Sequence, residues 1–264
     1  MAKIGLDAGH GGADPGTNTV YSAQNGIYEK DLALELVLMV DERLRHNGFE
    51  TALTRKDDTN PGNASWRGNF FVENKCDFGL SIHFNAHNSA DANGTEVYVP
   101  YAEKVGKVEK EILQGLKQFF NWRNPVARSN NYYAREQLTN KQLNFDTGMF
   151  GTVVTDKKDY FGVIRNAWAG GVSADLLEIC FVTNKKDMDT YTANKAAVAD
   201  AIARGIVTAY RKEYQPLPSS ATTQGNSNTE AFNALQAKYD DLQHRYNALV
   251  SDLKKLVADL EAKQ

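Results

Sequence analysis

The chain has only two cysteines, Cys76 and Cys180, and neither belongs to a CxxC pair. Two isolated cysteines are too few for a disulfide framework, so we expect both thiols to be reduced. No stretch approaches the roughly 20 consecutive apolar residues that cross a bilayer, so we expect no integral membrane segment. The first predicted strand begins within a few residues of Met1, which leaves no room for a signal peptide and indicates synthesis in the cytoplasm.

The sequence also lacks an excess of positive charge. The formal net charge is -3, and the pI is about 6.0, so there is no electrostatic reason to expect nucleic acid or an anionic membrane as a partner. Hydrophobic residues make up 42% of the chain and charged residues 24%. This composition is typical of a soluble globular protein, and the length allows one sizeable core plus an appendage.

Short apolar strands alternate with helical stretches over the first part of the chain. This alternation predicts an α/β fold with a mainly parallel twisted sheet flanked by helices. The predicted strands are 4–8, 49–55, 77–83, 94–100, 151–155 and 172–182. The predicted helices are 31–46, 64–75, 102–121 and 186–214. The stretch 122–144 is polar, aromatic and poorly periodic, and we expect it to be irregular.

The composition changes after residue 214. Residues 215–228 contain two prolines among Ser, Thr, Gln, Gly and Asn, which is typical of a flexible linker. Beyond them, apolar residues alternate steps of three and four, the pattern of a coiled-coil seam. The seam consists of Phe232, Leu235, Tyr239, Leu242, Tyr246, Leu249, Leu253, Leu256 and Leu260. We therefore predict a domain at 1–214, a linker at 215–228 and a coiled-coil helix at 229–264.

The predicted coiled-coil helix has two possible partners. It either associates with further copies of the chain or folds back on its own domain. We favour the first alternative and expect a homo-oligomer that is held together by this helix.

Two histidines and a carboxylate stand at predicted ends of strands or starts of helices. His10 follows the first strand, Glu29 directly precedes the first helix, and His83 closes the strand 77–83. Ligands of such sheets gather at the carboxyl ends of the strands, so we expect these side chains to converge. Two imidazoles and one carboxylate form the ligand set of a catalytic zinc site. Taken singly, each residue fits a polar turn or a helix start better, and the prediction rests on the combination.

Glu178 lies inside the apolar run 175–182, where an unpaired carboxylate is costly to bury. Burial would raise its pKa toward a value that is useful for a general base, so we predict that it transfers protons beside the metal. The alternative is a structural salt bridge to Arg55 or Arg67. Strand alternation places Cys180 on the same face as Glu178, and we expect this cysteine to be a small buried core residue.

Six segments occur in the order of the motifs of a known family. Together they resemble the zinc-dependent N-acetylmuramoyl-L-alanine amidases of the amidase_3 type, over roughly residues 3 to 212. Each segment is weak evidence alone, but the ordered set is highly specific. The segments are Gly5–Gly12, Glu29–Leu32, Thr54–Asp58, Ser81–Ala86, Gly94–Tyr98 and Leu177–Asn184.

The resemblance implies a hydrolase of bacterial peptidoglycan. Such an enzyme cleaves the amide bond between N-acetylmuramic acid and the L-alanine of the stem peptide with a zinc-activated water. The resemblance assigns His10, Glu29 and His83 as ligands of Zn²⁺ and Glu178 as the catalytic carboxylate. A wall hydrolase made without an export signal resembles a phage endolysin, which acts on the wall after its release during cell lysis; a bacterial enzyme is the alternative.

Two other classes of function remain open at this stage. A non-catalytic cell-wall-binding module with coiled-coil oligomerisation would bind peptidoglycan and release nothing from it. A coiled-coil interaction protein would use its globular part only as a spacer. The complete ligand set together with Glu178 favours the enzyme.

Overall fold

The structure is a computed structural model, and it describes residues 1–17, 26–100, 107–129, 143–144, 149–150 and 159–218. The chain divides into two compact units, Met1–Pro216 and Leu217–Gln264. Of the second unit only residues 217–218 are described. The predicted coiled coil at 229–264 therefore lies outside the described residues, as does most of the predicted linker.

The first unit alternates strands and helices in its described ranges. The strands are β1 (Lys3–Ala8), β2 (Glu50–Leu53), β3 (Phe78–Asn85), β4 (Thr95–Val99), β5 (Trp122–Ser129), β6 (Leu143–Asn144), β7 (Met149–Phe150) and β8 (Ala174–Phe181). The helices are α1 (Glu29–His46), α2 (Ala64–Glu73), α3 (Val108–Leu116), α4 (Gly162–Ala169) and α5 (Lys185–Ala209). None of the described helices is both long and apolar enough to cross a membrane.

Six strands form one sheet in the order β2-β1-β3-β8-β4-β5. Neighbouring strands are parallel throughout, except that β4 and β8 are antiparallel. The short strands β6 and β7 form a separate antiparallel pair. The prediction of a mainly parallel α/β sheet is therefore confirmed. Because β1, β3 and their neighbours run in the same direction, their carboxyl ends lie at one edge of the sheet.

Helices cover both faces of this sheet. Helix α5 packs against α1 and α3, whereas α2 packs against α4. The larger core cluster includes Leu36, Val40 and Leu44 of α1, which are fully buried and recur every four residues on one face of the helix. A smaller cluster around Phe71 of α2 fills the other face. The two clusters hold the sheet rigidly between its helices.

Helix α1 ends at His46, as predicted, and Asn47 and Gly48 follow it. Gly48 has a φ of 71°, and its N–H donates to the carbonyl of Arg45 at 3.0 Å. The next residue, Phe49, donates to the carbonyl of Leu44, also at 3.0 Å. This pair of bonds is the Schellman motif, which needs a left-handed residue and therefore favours glycine. The turn leads the chain directly into β2.

One prediction about secondary structure is wrong in the described residues, and one helix is missing from the predictions. The stretch 122–144 was expected to be irregular, but 122–129 form the edge strand β5. Its register with β4 shifts between the pairs Thr95–Trp122 and Val97–Ala127, so Pro125 falls in a bulge, where proline is tolerated. Helix α4 was not anticipated, because two turns give too short a periodic pattern. The predicted strand at 151–155 lies outside the described residues.

Phe71 packs face to face with the sheet because β1 and β3 carry glycine beneath it. A Cβ atom built on Gly5 or on Gly79 would overlap the Phe71 ring on either side. The ring is fully buried. The two glycines therefore provide the space that α2 needs to approach the sheet closely.

We predict that Gly79→Ala lowers the free energy of unfolding by about 1 to 3 kcal/mol, because it overpacks the core against Phe71. Urea denaturation measures this change. In a Phe71→Leu background the same alanine should cost clearly less, since the smaller side chain leaves room. An equal cost in both backgrounds would contradict the proposed contact.

Candidate metal centre

The three predicted ligands meet at the carboxyl edge of the sheet. His10 follows β1, His83 lies two residues before the end of β3, and Glu29 is the first residue of α1. Nε2 of His10 lies 3.1 Å from Oε1 of Glu29, and Nδ1 of His83 lies 2.9 Å from the same oxygen. The candidate ligand atoms all lie within 4.8 Å of one another. The described part of the chain thus brings the predicted trio to one point.

Glu29 is the centre of this cluster and is held as an anion. Its side chain is only 3% exposed. Oε2 accepts the backbone N–H of Thr17 at 2.8 Å, and Oε1 accepts that of Phe84 at 3.1 Å. Burial alone would raise the pKa of Glu29, but hydrogen bonds from His10 and His83 outweigh it and hold this pKa well below its ordinary value. The start of α1 adds a favourable dipole for the negative charge.

The loop that follows β1 wraps closely around the cluster. Gly16 has a φ of 83°, and a Cβ atom at this position would lie 2.6 Å from Oε2 of Glu29 and 2.9 Å from Cδ2 of His10. Both the backbone conformation and the space therefore require glycine. The loop can close on the two ligands only because this residue has no side chain.

His10 has an unusual backbone conformation, with a φ of 62°. Its carbonyl accepts a hydrogen bond from Nη2 of Arg67 at 2.8 Å, and its Nδ1 lies 2.9 Å from Oδ2 of Asp14. Burial lowers the pKa of His10, but the hydrogen bonds and charges of Glu29 and Asp14 raise it more, so that the net pKa is raised. The imidazole is therefore fixed through both of its nitrogens.

Glu178 lies on β8 beside the cluster. Its Cα pairs with that of His83 on one side and with that of Glu96 on the other. Its Oε2 atom is shielded from solvent and has no hydrogen-bond partner among the described residues. Burial raises the pKa of Glu178 well above its ordinary value, and the negative charges of Glu29 and Glu96 raise it further. Glu178 is the group in this pocket whose proton affinity is most strongly increased.

The salt-bridge alternative for Glu178 is wrong. Arg67 is paired with Asp7, at 2.6 Å between Nη1 and Oδ1. Arg55 donates instead to backbone carbonyls, among them those of Ala8 and Gly9 at 3.0 and 2.9 Å. Both guanidinium groups are used at the end of β1, so neither neutralises Glu178.

One pocket of about 980 Å³ contains all of these groups. His10, Glu29, His83 and Glu178 line it, and so does Asn85 at the end of β3. The loop before α2 and the start of α4 contribute further lining residues, among them Asn63 and Phe161. Both polar and apolar side chains line the pocket. Its volume lies in the range of pockets that bind small-molecule ligands.

Residues 4–208 match the Amidase_3 family, described as N-acetylmuramoyl-L-alanine amidase. The chain belongs to this family of peptidoglycan-hydrolysing amidases. The resemblance to the amidase_3 family is thereby confirmed over residues 4–208.

The comparisons with individual proteins agree with the family. The chain is 27% identical over 213 residues to the uncharacterized protein YqiI of Bacillus subtilis, which covers 78% of this chain and 83% of YqiI. It is 35% identical over 95 residues to the B. subtilis N-acetylmuramoyl-L-alanine amidase LytC, which covers 36% of this chain but only 18% of LytC. The chain therefore spans less than a fifth of that amidase.

A solved structure shows the same fold. The N-acetylmuramoyl-L-alanine amidase AmiC2 of Nostoc punctiforme superposes with a TM-score of 0.60 at 22% identity, over 80% of this chain and 98% of that chain. The sheet and its helices are thus shared with an amidase of another organism.

In this amidase-family chain, a buried polar network lies next to the candidate ligands, and it is not among the predictions from the sequence. Asp7 of β1 is fully buried. Its Oδ1 accepts from Thr54 Oγ1 and Arg67 Nη1, and its Oδ2 accepts from Ser81 Oγ, each at 2.6 Å. Burial raises the pKa of Asp7, but the charge of Arg67 and these hydrogen bonds lower it overall. In the sequence, this network is indicated by one charged residue, Asp7, inside the apolar strand 4–8.

Cys180 is fully buried in the larger core cluster, as predicted, but it does not share the face of Glu178. The register between β3 and β8 shifts, because His83 pairs with Glu178 and Asn85 pairs with Phe181. Three residue steps along β8, from Glu178 to Phe181, therefore lie opposite two residue steps along β3, from His83 to Asn85. The extra residue forms a β-bulge between Glu178 and Phe181, which breaks the alternation between Ile179 and Cys180.

We predict that Arg67→Met lowers the free energy of unfolding by about 3 to 5 kcal/mol, because it leaves the carboxylate of Asp7 buried without a cation. The double variant Asp7→Asn, Arg67→Met should recover part of this loss, since no uncompensated charge remains. Urea denaturation of the three proteins measures both effects.

The matched control for this prediction is Arg45→Met. Arg45 is 60% exposed, and its partner Asp41, although buried, also accepts a hydrogen bond from Thr51 Oγ1 at 2.5 Å, so the loss of Arg45 should cost clearly less than the loss of Arg67. Equal losses for the Arg67 and Arg45 variants would show that the buried pair has no special role.

Proposed function

We propose that this chain is a zinc-dependent N-acetylmuramoyl-L-alanine amidase. It hydrolyses the amide bond between the lactyl group of N-acetylmuramic acid and the L-alanine of the stem peptide in bacterial peptidoglycan. The observation that carries the proposal is the convergence of His10, Glu29 and His83 in one pocket, beside the protonatable side chain of Glu178. Membership of the Amidase_3 family supports the choice of bond.

The donor set fits a zinc ion. Nε2 of His10, Nδ1 of His83 and a carboxylate oxygen of Glu29 would hold it, and two imidazoles with one carboxylate are a common ligand set of catalytic zinc. The two nitrogens already face one carboxylate oxygen at 3.1 and 2.9 Å. When bound, zinc would supply a Lewis acid that polarises the amide carbonyl and the attacking water.

Glu178 is the proton carrier of the proposed reaction. Its carboxylate accepts a proton as the oxygen of the attacking water forms its bond to the amide carbon. It then gives this proton to the amide nitrogen as the C–N bond breaks. The second proton of the water passes from the new carboxylic acid to the amine, which leaves a lactyl carboxylate and the ammonium group of L-alanine. A raised pKa suits this sequence of steps, because the carboxyl must hold the proton between them.

The lining of the pocket suits a substrate with two different arms. The ligand cluster and Glu178 line it together with Asn63 of the loop before α2 and with Phe161. An amide in the middle of this pocket would have a saccharide on one side and a peptide on the other. The polar and apolar lining residues give both arms groups to contact.

We predict that Glu178→Gln lowers the rate of amide cleavage by about 100- to 10,000-fold, because the amide side chain cannot take the proton. The variant should still bind one zinc ion per chain. The assay follows fragments released from purified peptidoglycan by mass spectrometry, and metal analysis of the same sample gives the zinc content.

Glu109→Gln is the matched control for this experiment. Glu109 is another buried carboxylate, with a pKa raised by burial to about 7, but it lies on α3 and not among the residues that line the pocket. Its variant should cleave at the wild-type rate.

Removal of zinc by a chelator should stop cleavage by the wild type, and added zinc should restore it. Cleavage within the glycan strand or the stem peptide would refute the proposed bond.

We also propose that residues 229–264 form a coiled coil that joins copies of the chain. The heptad pattern of the sequence supports this proposal. The residues themselves lie outside the described ones. The mass of the full chain in solution, measured by light scattering, should be at least twice that of a monomer. A chain that ends at Pro216, the boundary of the first compact unit, should be monomeric. Equal oligomeric states of the two proteins would contradict the proposal.

A further inference from the structure

Asp14 is an acidic residue next to the candidate zinc ligands, and the proposed reaction does not use it. Its Oδ2 lies 2.9 Å from Nδ1 of His10. The other nitrogen of the same ring, Nε2, faces Oε1 of Glu29 at 3.1 Å. Asp14 therefore binds His10 on the side of the ring opposite to the metal cluster.

Asp14 is itself fixed in place. Its Oδ1 accepts the N–H of Gly16 at 3.1 Å. Its backbone N–H and carbonyl both pair with Gly11, at 3.0 Å each. The carboxylate is thus tied to the loop on both sides of the residue, although its side chain is 49% exposed. A group anchored in this way can orient the imidazole that it contacts.

The two histidines of the cluster need opposite tautomers. His10 presents Nε2 to Glu29, whereas His83 presents Nδ1 to the same oxygen. A neutral imidazole can offer a lone pair only from the nitrogen that has no hydrogen. His10 must therefore carry its hydrogen on Nδ1, which is the nitrogen that faces Asp14.

We propose that Asp14 is a positioning residue of the metal site. It accepts the Nδ1–H of His10 and so keeps the Nε2 lone pair directed at the metal. This inference rests on the proposed function, because it assumes that His10 is a zinc ligand. A carboxylate behind a ligating histidine fixes the ring and increases its basicity, and removing such a partner typically weakens metal binding by about 10- to 100-fold.

A merely structural role for Asp14 makes a different prediction. The bond from Gly16 N–H to Oδ1 would serve to close the loop, and the contact with His10 would then be incidental. Loss of Asp14 would lower the stability of the protein without a specific effect on zinc. The affinity for zinc and the tautomer of His10 separate the two roles.

The first experiment measures the dissociation constant for zinc at constant pH, by competition with a chromophoric chelator. Asp14→Ala should raise it by about 10- to 100-fold relative to the wild type. Asp14→Asn should raise it less, because the amide oxygen can still accept from Nδ1. The circular dichroism spectrum and the melting temperature show whether each variant folds, and if the alanine variant does not, the asparagine variant decides.

Asp58→Ala is the matched control. Asp58 is 53% exposed, and its Oδ1 accepts the N–H of Gly12 in the same loop at 2.9 Å. The structure gives it no contact with His10, Glu29 or His83 within the described residues. Its variant should bind zinc with the wild-type affinity. Each variant therefore removes one carboxylate that binds the loop after β1. Of the two carboxylates, Asp14 contacts the ligand His10 and Asp58 does not.

The second experiment reads the tautomer of His10 directly. Long-range ¹H–¹⁵N spectra of the zinc-loaded protein are simple to assign, because the chain has five histidines. In the wild type His10 should carry its hydrogen on Nδ1 and His83 on Nε2. In zinc-loaded Asp14→Ala the Nδ1–H signal of His10 should exchange faster with water.

The outcomes separate this inference from the proposed function. If Asp14→Ala binds zinc as tightly as Asp58→Ala, Asp14 is not a positioning residue, while the zinc site itself stands. If the wild type shows Nε2–H on His10 in the zinc-loaded state, the assigned tautomer is wrong. If the folded wild type binds no zinc, the proposed function fails and the inference fails with it.

Discussion

The buried pair of Asp7 and Arg67 is the interaction on which the site depends. A carboxylate in the middle of a buried strand is tolerated only with a cation and further hydrogen-bond donors. Here these donors come from separate elements: Arg67 from α2, Thr54 after β2 and Ser81 from β3. One carboxylate therefore fixes three strands and a helix relative to each other, directly below the point where the candidate ligands meet.

The same guanidinium also reaches the backbone of the ligand loop. Arg67 donates to the carbonyls of Ala8 and His10, both at 2.8 Å, and Arg55 donates to those of Ala8 and Gly9. Carbonyl oxygens at the end of β1 would otherwise add partial negative charge beside Glu29. The two arginines bind these oxygens, and the left-handed conformation of His10 is stabilised at the same time.

Three carboxylates that line one pocket, two of them buried and one partly buried, are held in different states by their neighbours. Asp7 has a cation and two hydroxyl donors, and its pKa is lowered. Glu29 has two imidazoles and two backbone N–H groups, and its pKa is also lowered. Desolvation raises the pKa of Glu178, and the negative charges of Glu29 and Glu96 raise it further. Environments that push carboxyl pKa values apart are what distinguish a ligand from a proton carrier.

Much of this arrangement could be predicted from the sequence, because its main signals are local. The end of β1 marked His10, the start of α1 marked Glu29, and an acid in an apolar strand marked Glu178. The partners of these residues could not be found in this way. Asp14 contacts His10 from the loop after β1, and Arg67 contacts it from helix α2. The contact with Arg67 depends on how α2 packs against the sheet, which the spacing of residues along the chain does not indicate. The bulge after Glu178 was hidden for the same reason, since register is a property of two strands.

The bulge also explains how one strand can serve the core and the pocket. Up to Glu178 the alternation of β8 directs successive side chains to opposite faces of the sheet, so that Leu177 enters the larger core cluster and Glu178 enters the pocket. Ile179 and Cys180 then both lie in that core cluster. With regular alternation Cys180 would have pointed into the pocket, beside Glu178. The extra residue turns it away, and the pocket keeps a single group on β8 whose proton affinity is raised.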